Sequence, residues 1–195
     1  GYGPGYGGAS VGATHGGAGG YNTLPYYGSL EAPIDFGSGG AERDGGGIIK
    51  INVSNNLYLD GTLNSNAVQG SNSGYVVDQG AGGSVWIIAN SFEGSGNITA
   101  LGGDGSGDDR GGGGGRISIS DSTDYQFNGV LSTNGGPGGF GRGFTGTIYL
   151  PATTRNNFTL NSTLRLNCND TYSFGNITIL ENGILELDSD PLYGD

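Results

Sequence analysis

Six Asn-X-Ser/Thr tripeptides with X other than proline begin at Asn52, Asn97, Asn157, Asn161, Asn169 and Asn176. Each is an acceptor pattern for N-linked glycan, and so a candidate surface site in a secreted chain. Four of them fall between Asn157 and Thr178. The competing role for the same residue types is hydrogen bonding in turns and between neighbouring strands.

The run from Gly102 to Asp109 carries three carboxylates, Asp104, Asp108 and Asp109, on a chain of glycine and serine. Carboxylates on a pliable turn are hard oxygen ligands suited to Ca²⁺. The run lacks the apolar position of the Gly-Gly-X-Gly-X-Asp-apolar-X calcium repeat, and neighbouring segments do not keep the acids. The stronger expectation is a solvated acidic loop partly neutralised by Arg110 or Arg116, with no cofactor.

Catalysis has little to stand on. His15 is the single histidine and sits among glycines, so a nucleophile and base would have to be brought to it from elsewhere in the fold. Asp60, Glu93, Asp121 and Asp124 are available as paired carboxylates for sugar hydrolysis but form no repeated constellation. Gly111 to Gly115 opens no helix, which a phosphate-binding loop requires. The chain reads as no enzyme.

Tyrosine is the abundant aromatic, 11 against 7 phenylalanines, and Tyr2, Tyr6, Tyr21, Tyr26 and Tyr27 crowd the N-terminal part. A ring with a hydroxyl suits protein contacts or stacking on sugars. Tyr26 and Tyr27 are the candidate binding pair, and packing across glycine is the rival use.

The elements that must position these residues are strands. Glycine makes up 45 of 195 residues without a Gly-X-Y period, which excludes a collagen helix, and six prolines are too few for a polyproline rod along the whole chain. A glycine run followed by alternating apolar residues occurs before Ile48, Val85, Ile117 and Ile148, at spacings of thirty-odd residues. Each copy carries a second short strand signal, a turn and a third, as in Leu57–Leu63, Phe92–Ala100 and Tyr125–Leu131. Repeats of this size predict an all-β, right-handed parallel β-helix, a solenoid with long glycine-rich loops on one side. Those loops, 70–83, 102–115 and 135–146, are expected to pack as ordered extended segments, glycine permitting close approach of backbones.

Three regions follow: a glycine- and tyrosine-rich segment over 1–47 covering an end or flank, coils with glycine-rich loops over 48–152, and shorter coils over 153–195. Cys168 has no partner in the chain and is expected to be a buried small side chain. The formal net charge of −11 argues against nucleic acid. No run of 18 apolar residues spans a membrane, and the opening Gly1-Tyr2-Gly3-Pro4 suggests a processed or partial polypeptide.

Gly-Gly-Gly-Ile-Ile-Lys-Ile, Gly-Gly-Ser-Val-Trp-Ile and Gly-Gly-Gly-Arg-Ile-Ser-Ile together resemble glycine-rich parallel β-helix repeats of large extracellular proteins in protists and some bacteria. The resemblance covers roughly Gly28 to Leu150 and implies an adhesin, a surface coat or a fibrous appendage component. The expected function is therefore an extracellular structural protein, secreted or at the cell surface. It would form or decorate a stiff filament, carry glycans, and associate end to end with its own kind or with neighbouring structural subunits. The alternatives are an adhesin or carbohydrate-binding module that takes surface carbohydrate, and a polysaccharide-active β-helix enzyme.

Overall fold

The computed structural model describes residues 2–8, 10–41, 43–69, 78–105, 107–120, 122–150, 157–160, 163–166, 173–181 and 184–187, with side chains left aside at 157–160, 163–166 and 187. Twelve strands lie in the described residues, and every pairing among them is parallel. The fold is all-β.

The largest sheet holds β1 (Ile48–Tyr58), β3 (Ser84–Gly94), β5 (Arg116–Ser120) and β8 (Thr147–Tyr149) in that order, with β6 (Asp124–Phe127) continuing the line of β5 along β3. Ile49, Val85, Ile117 and Ile148 stand in one register column, so the strands that follow the glycine runs pair in parallel; Ile48, expected opposite Val85, faces Ser84 instead. A second sheet pairs β2 (Thr62–Asn64), β4 (Asn97–Thr99) and β7 (Val130–Ser132), aligning Leu63, Ile98 and Leu131. In the first two repeats the two strand signals expected before the turn run together as one 11-residue strand. Only the third repeat divides them, into β5 and β6.

Alternation along these strands turns one set of side chains inward. Val85, Ile87, Phe92, Ile98, Ile117, Ile119, Leu131 and Ile148 form the buried core, with Phe92 stacked on Phe127 at 4.5 Å between ring centroids. Burying an aliphatic side chain of this size contributes about 1.5–3 kcal/mol. The outward positions of β3 and β5 are covered as well. Ser84 Oγ donates to the Asp35 carbonyl and Ser118 Oγ to the Glu31 carbonyl, each at 2.6 Å, so the segment 31–35 crosses that face.

The C-terminal strands β9 (Asn157–Leu160) and β11 (Asn176–Ile179) pair with each other, as do β10 (Thr163–Leu166) and β12 (Ile184–Leu187), and β10 adjoins β7. The parallel pattern continues there.

Between β2 and β3, β4 and β5, and β7 and β8, the chain leaves the sheets on one arm and returns on another. Gly115 and Gly112 of one returning arm donate to Ala100 and Gly103 of the outgoing arm, and Gly146 and Gly143 repeat this against Thr133 and Gly136. Successive residues of a single arm donate in different directions: Gly111 to Gly141, Gly112 to Gly103, Gly113 to Ala13, Gly114 to Phe144 and Gly115 to Ala100. Partners recur every third residue. A flat strand points its donors in two directions, whereas an extended helix of three residues per turn points them in three. The arms therefore build a polyproline-II-like array made almost wholly of residues other than proline, Pro137 being the exception, in which missing internal hydrogen bonds are replaced by bonds to neighbouring arms. The described parts of the loops 70–83, 102–115 and 135–146 are ordered in this way; residues 70–77 lie outside the described residues.

Candidate functional site

The array admits a piece of the N-terminal region. Residues Gly12–Gly20 fold back on themselves, Gly12 N donating to Gly20 O at 2.9 Å and His15 N to Gly17 O at 3.1 Å. The arms of this hairpin bond to three repeats at once. Ala13 N donates to Gln79 O, Gly17 N to Gly114 O and Gly20 N to Gly111 O, while Gly113 and Phe144 donate back to Ala13 and Ala18. Alanine and glycine are what this packing tolerates: a Cβ on Gly16 or Gly17 would overlap the carbonyl of Gly115 or Phe144.

His15 stands at the hairpin tip, fully buried, with Nδ1 2.7 Å from the Gly82 carbonyl. That contact makes Nδ1 the protonated nitrogen and leaves Nε2 as a buried acceptor without a hydrogen-bond partner. The ring packs on Tyr27, centroids 4.7 Å apart. Burial takes the imidazole down to about 4; the Gly82 carbonyl works against the fall, and the Arg116 guanidinium adds to it. Arg116, 6 % exposed, donates from Nε to the Tyr27 carbonyl at 2.9 Å and from Nη1 to Thr147 Oγ1 at 2.8 Å. This cluster ties hairpin, flank segment and sheet together. It has the marks of a structural fastener: a neutral histidine and an arginine occupied by a carbonyl and a hydroxyl.

Tyr27 belongs to that cluster. Its hydroxyl donates to the Phe36 carbonyl at 2.6 Å and meets Ser38 Oγ at 2.8 Å, and burial raises its pKa. Tyr26 is half-buried beside it. Phe36, whose carbonyl Tyr27 bonds, has an exposed ring, and further exposed aromatics lie elsewhere. Tyr2, Tyr21 and Phe140 are 88 %, 65 % and 55 % exposed, the Tyr21 ring lies against the α-carbon face of Gly141, and Arg110 lies over Phe140 at 5.5 Å. Nearby, a cleft of about 300 Å³ is lined by Asn134, Pro137, Arg142, Thr145 and intervening glycines.

Asp104 and Asp108 are exposed and Asp109 is buried. Among the described residues no group of three His, Cys, Asp or Glu side chains is placed to hold a metal ion. The arginines expected to neutralise this loop are engaged elsewhere: Arg116 in the His15 cluster, and Arg110 at 3.7 Å from the carboxylate of buried Asp78, which also accepts from the Ser10 and Arg110 backbone amides. Sequence reasoning passed over Asp78. Its only signal was an acid beside a glycine run.

Of the sequons, Asn52 on β1, Asn97 on β4 and Asn176 on β11 are exposed. Asn157 begins β9, while Asn161, Cys168 and Asn169 lie outside the described residues. The carboxylates weighed for sugar hydrolysis are engaged locally. Asp60 accepts from Ser95 N and Oγ and from the Tyr58 hydroxyl, which holds its carboxyl below the usual range; Glu93 accepts from Ser91, and Asp124 from Gln126. Asp121 lies outside the described residues. No helix among the described residues is long and apolar enough to cross a membrane. No protein-family model, curated protein or solved structure matches the chain.

Proposed function

We propose that this protein is an extracellular structural module, a β-helical coil stack serving as a stiff element of a filament, coat or appendage. The register column from Ile49 through Val85 and Ile117 to Ile148 carries this reading. Parallel rungs bonded strand to strand resist extension along the stack, and the glycine array braces the same rungs from the side, so bending would break two sets of backbone bonds. Glycans at Asn52, Asn97 and Asn176 would stand on exposed strand positions.

End-to-end association is part of the proposal. At one end β1 is the edge of its sheet and the inward Ile49, Ile51, Val53 and Leu57 are only half-covered; at the other, Ile177, Ile179, Ile184 and Leu185 are 36–50 % exposed. Open parallel edges with exposed apolar positions are templates for a further rung. Electron microscopy of the native material tests this: rods or filaments are expected, and isolated particles at high protein concentration would count against self-association.

A carbohydrate-binding reading draws on the exposed pair Tyr21 and Phe140 beside Arg110 and the cleft at Arg142. Under it, glycan-array binding would fall when Phe140 is changed to Ala, whereas a purely structural module would bind nothing on the array.

A further inference from the structure

Tyr2 and Tyr6 lie with ring centroids 4.7 Å apart and planes inclined at 57°. A turn sets this approach, Tyr6 N donating to Gly3 O at 3.0 Å. The turn is itself fastened to the body, because Gly5 N donates to Ser38 Oγ at 2.9 Å and Thr14 N to Gly5 O at 2.8 Å. Tyr2 is 88 % exposed and Tyr6 half-buried, so the pair is open to a reagent in solution while one ring is held in place.

Among the described residues this is the one contact between two tyrosine rings; the other ring pairs join His15 to Tyr27 and Phe92 to Tyr125 and Phe127. The composition sharpens the point. Eleven tyrosines accompany no methionine, one cysteine and one tryptophan, so the sulfur side chains that oxidants ordinarily consume are nearly missing. Trp86 is half-covered by Lys50, whose Nζ lies 3.9 Å over the ring, and its indole N–H is bonded to Ser120.

We infer that Tyr2 and Tyr6 form an oxidative coupling site, closed into one dityrosine within the chain by hydrogen peroxide and a peroxidase-class enzyme. Each phenol gives up one electron and its hydroxyl proton. The two radicals join through ring carbons ortho to the oxygens, and the two hydrogens on those carbons move to the oxygens, restoring both phenols. One C–C bond replaces two C–H bonds, and the two electrons and two protons reduce one peroxide to two waters. Among the described residues neither Tyr21 nor Tyr58, both exposed, has a ring contact with another tyrosine, so these two are expected to couple between chains. The inference does not depend on the coil stack being a filament.

The test is to treat the full chain, dilute, with peroxidase and hydrogen peroxide, under conditions that couple free N-acetyltyrosine amide. The expected product is a monomer on a denaturing gel with dityrosine fluorescence, an intact mass lower by two hydrogens, and a cross-linked peptide joining Tyr2 to Tyr6. Tyr2→Phe and Tyr6→Phe should each abolish the mass loss, and Tyr2→Phe, altering an exposed ring, should leave the melting temperature unchanged. An unchanged mass, a link mapped to other tyrosines, or products that are only multimeric would overturn the assignment.

Discussion

The α-carbon of Gly114 faces the carbonyl oxygen of Thr133 so closely that a Cβ built on Gly114 would overlap that oxygen. The same carbonyl accepts from Gly146 N at 2.8 Å, so it cannot swing away without breaking a bond between arms. Gly114→Ala should therefore cost more than about 2 kcal/mol, the scale of a rigid overpacking clash. Gly61→Ala, where a Cβ meets nothing within 4 Å, should change stability by less than about 1 kcal/mol. Urea unfolding of both variants compares them directly. Equal midpoints would show that the glycine array does not stabilise the fold.

The register column makes a second contrast. Ile117 is fully buried between Val85 and Ile148, whereas Ile49, at the outer rung, packs on the core from one side only. Ile117→Ala should lose about 3–4 kcal/mol through transfer and an uncollapsed cavity, and Ile49→Ala about 1–2 kcal/mol. Thermal melts of the two variants and the unaltered protein, at one protein concentration, check the order. A larger loss at Ile49 would mean that β1 is covered in solution, as it would be by a neighbouring copy.

The strands were legible because the apolar period survives between glycine runs: Val85, Ile117 and Ile148 align by eye and do pair, whereas Ile48, aligned with them, is one residue out, since it pairs with Ser84 and its neighbour Ile49 takes the place opposite Val85. The arms were legible only as order. Six prolines speak against polyproline geometry, but the same extended conformation is open to glycine once neighbouring backbones supply its hydrogen bonds, and no local pattern announces those partners. The role of His15 was hidden for the same reason. A histidine among glycines reads equally as a packed or a solvated loop residue until the Gly82 carbonyl, 67 residues on, is placed against it. Asp78 and Arg116 likewise acquire meaning only through residues distant in the chain. Composition pointed to tyrosine as a binding residue but could not rank the rings by exposure: Tyr26 and Tyr27 are half-buried, while Tyr21 and Phe140 stand on the surface.

Asp78 joins three stretches of chain. It is 1 % exposed and accepts from Ser10 N at 2.5 Å and Arg110 N at 3.3 Å, with the Arg110 guanidinium 3.7 Å away. Asp78→Ala would leave two backbone donors and a largely covered cation without their acceptor. Removing one member of a buried pair costs about 3–5 kcal/mol, and about 2–3 kcal/mol is expected here because Arg110 retains some solvent. Asp78→Asn, which keeps one acceptor oxygen, should lose less. Hydrogen exchange at the Ser10 amide should quicken in both variants, and an unchanged rate would separate Ser10 from this carboxylate.

The fastener at His15 predicts how stability depends on pH. Burial holds the folded imidazole at about 4 against an ordinary 6.5, so between those values the unfolded chain binds a proton that the folded chain refuses. Stability therefore rises with pH across this window: the contribution is complete above about 6.5, declines as the pH falls, and is gone near 4. A shift of this size corresponds to roughly 3 kcal/mol. Protonation would place a cation beside Arg116 with Nε2 unsolvated, so the Gly12–Gly20 hairpin should be the first part to loosen. His15→Gln removes the titration while retaining a donor for the Gly82 carbonyl. Subtracting its urea-unfolding free energies from those of the natural protein, from neutral pH down to about 4, cancels the carboxylates common to both. The difference should slope upward with pH through the window, and parallel curves would contradict a buried, neutral His15.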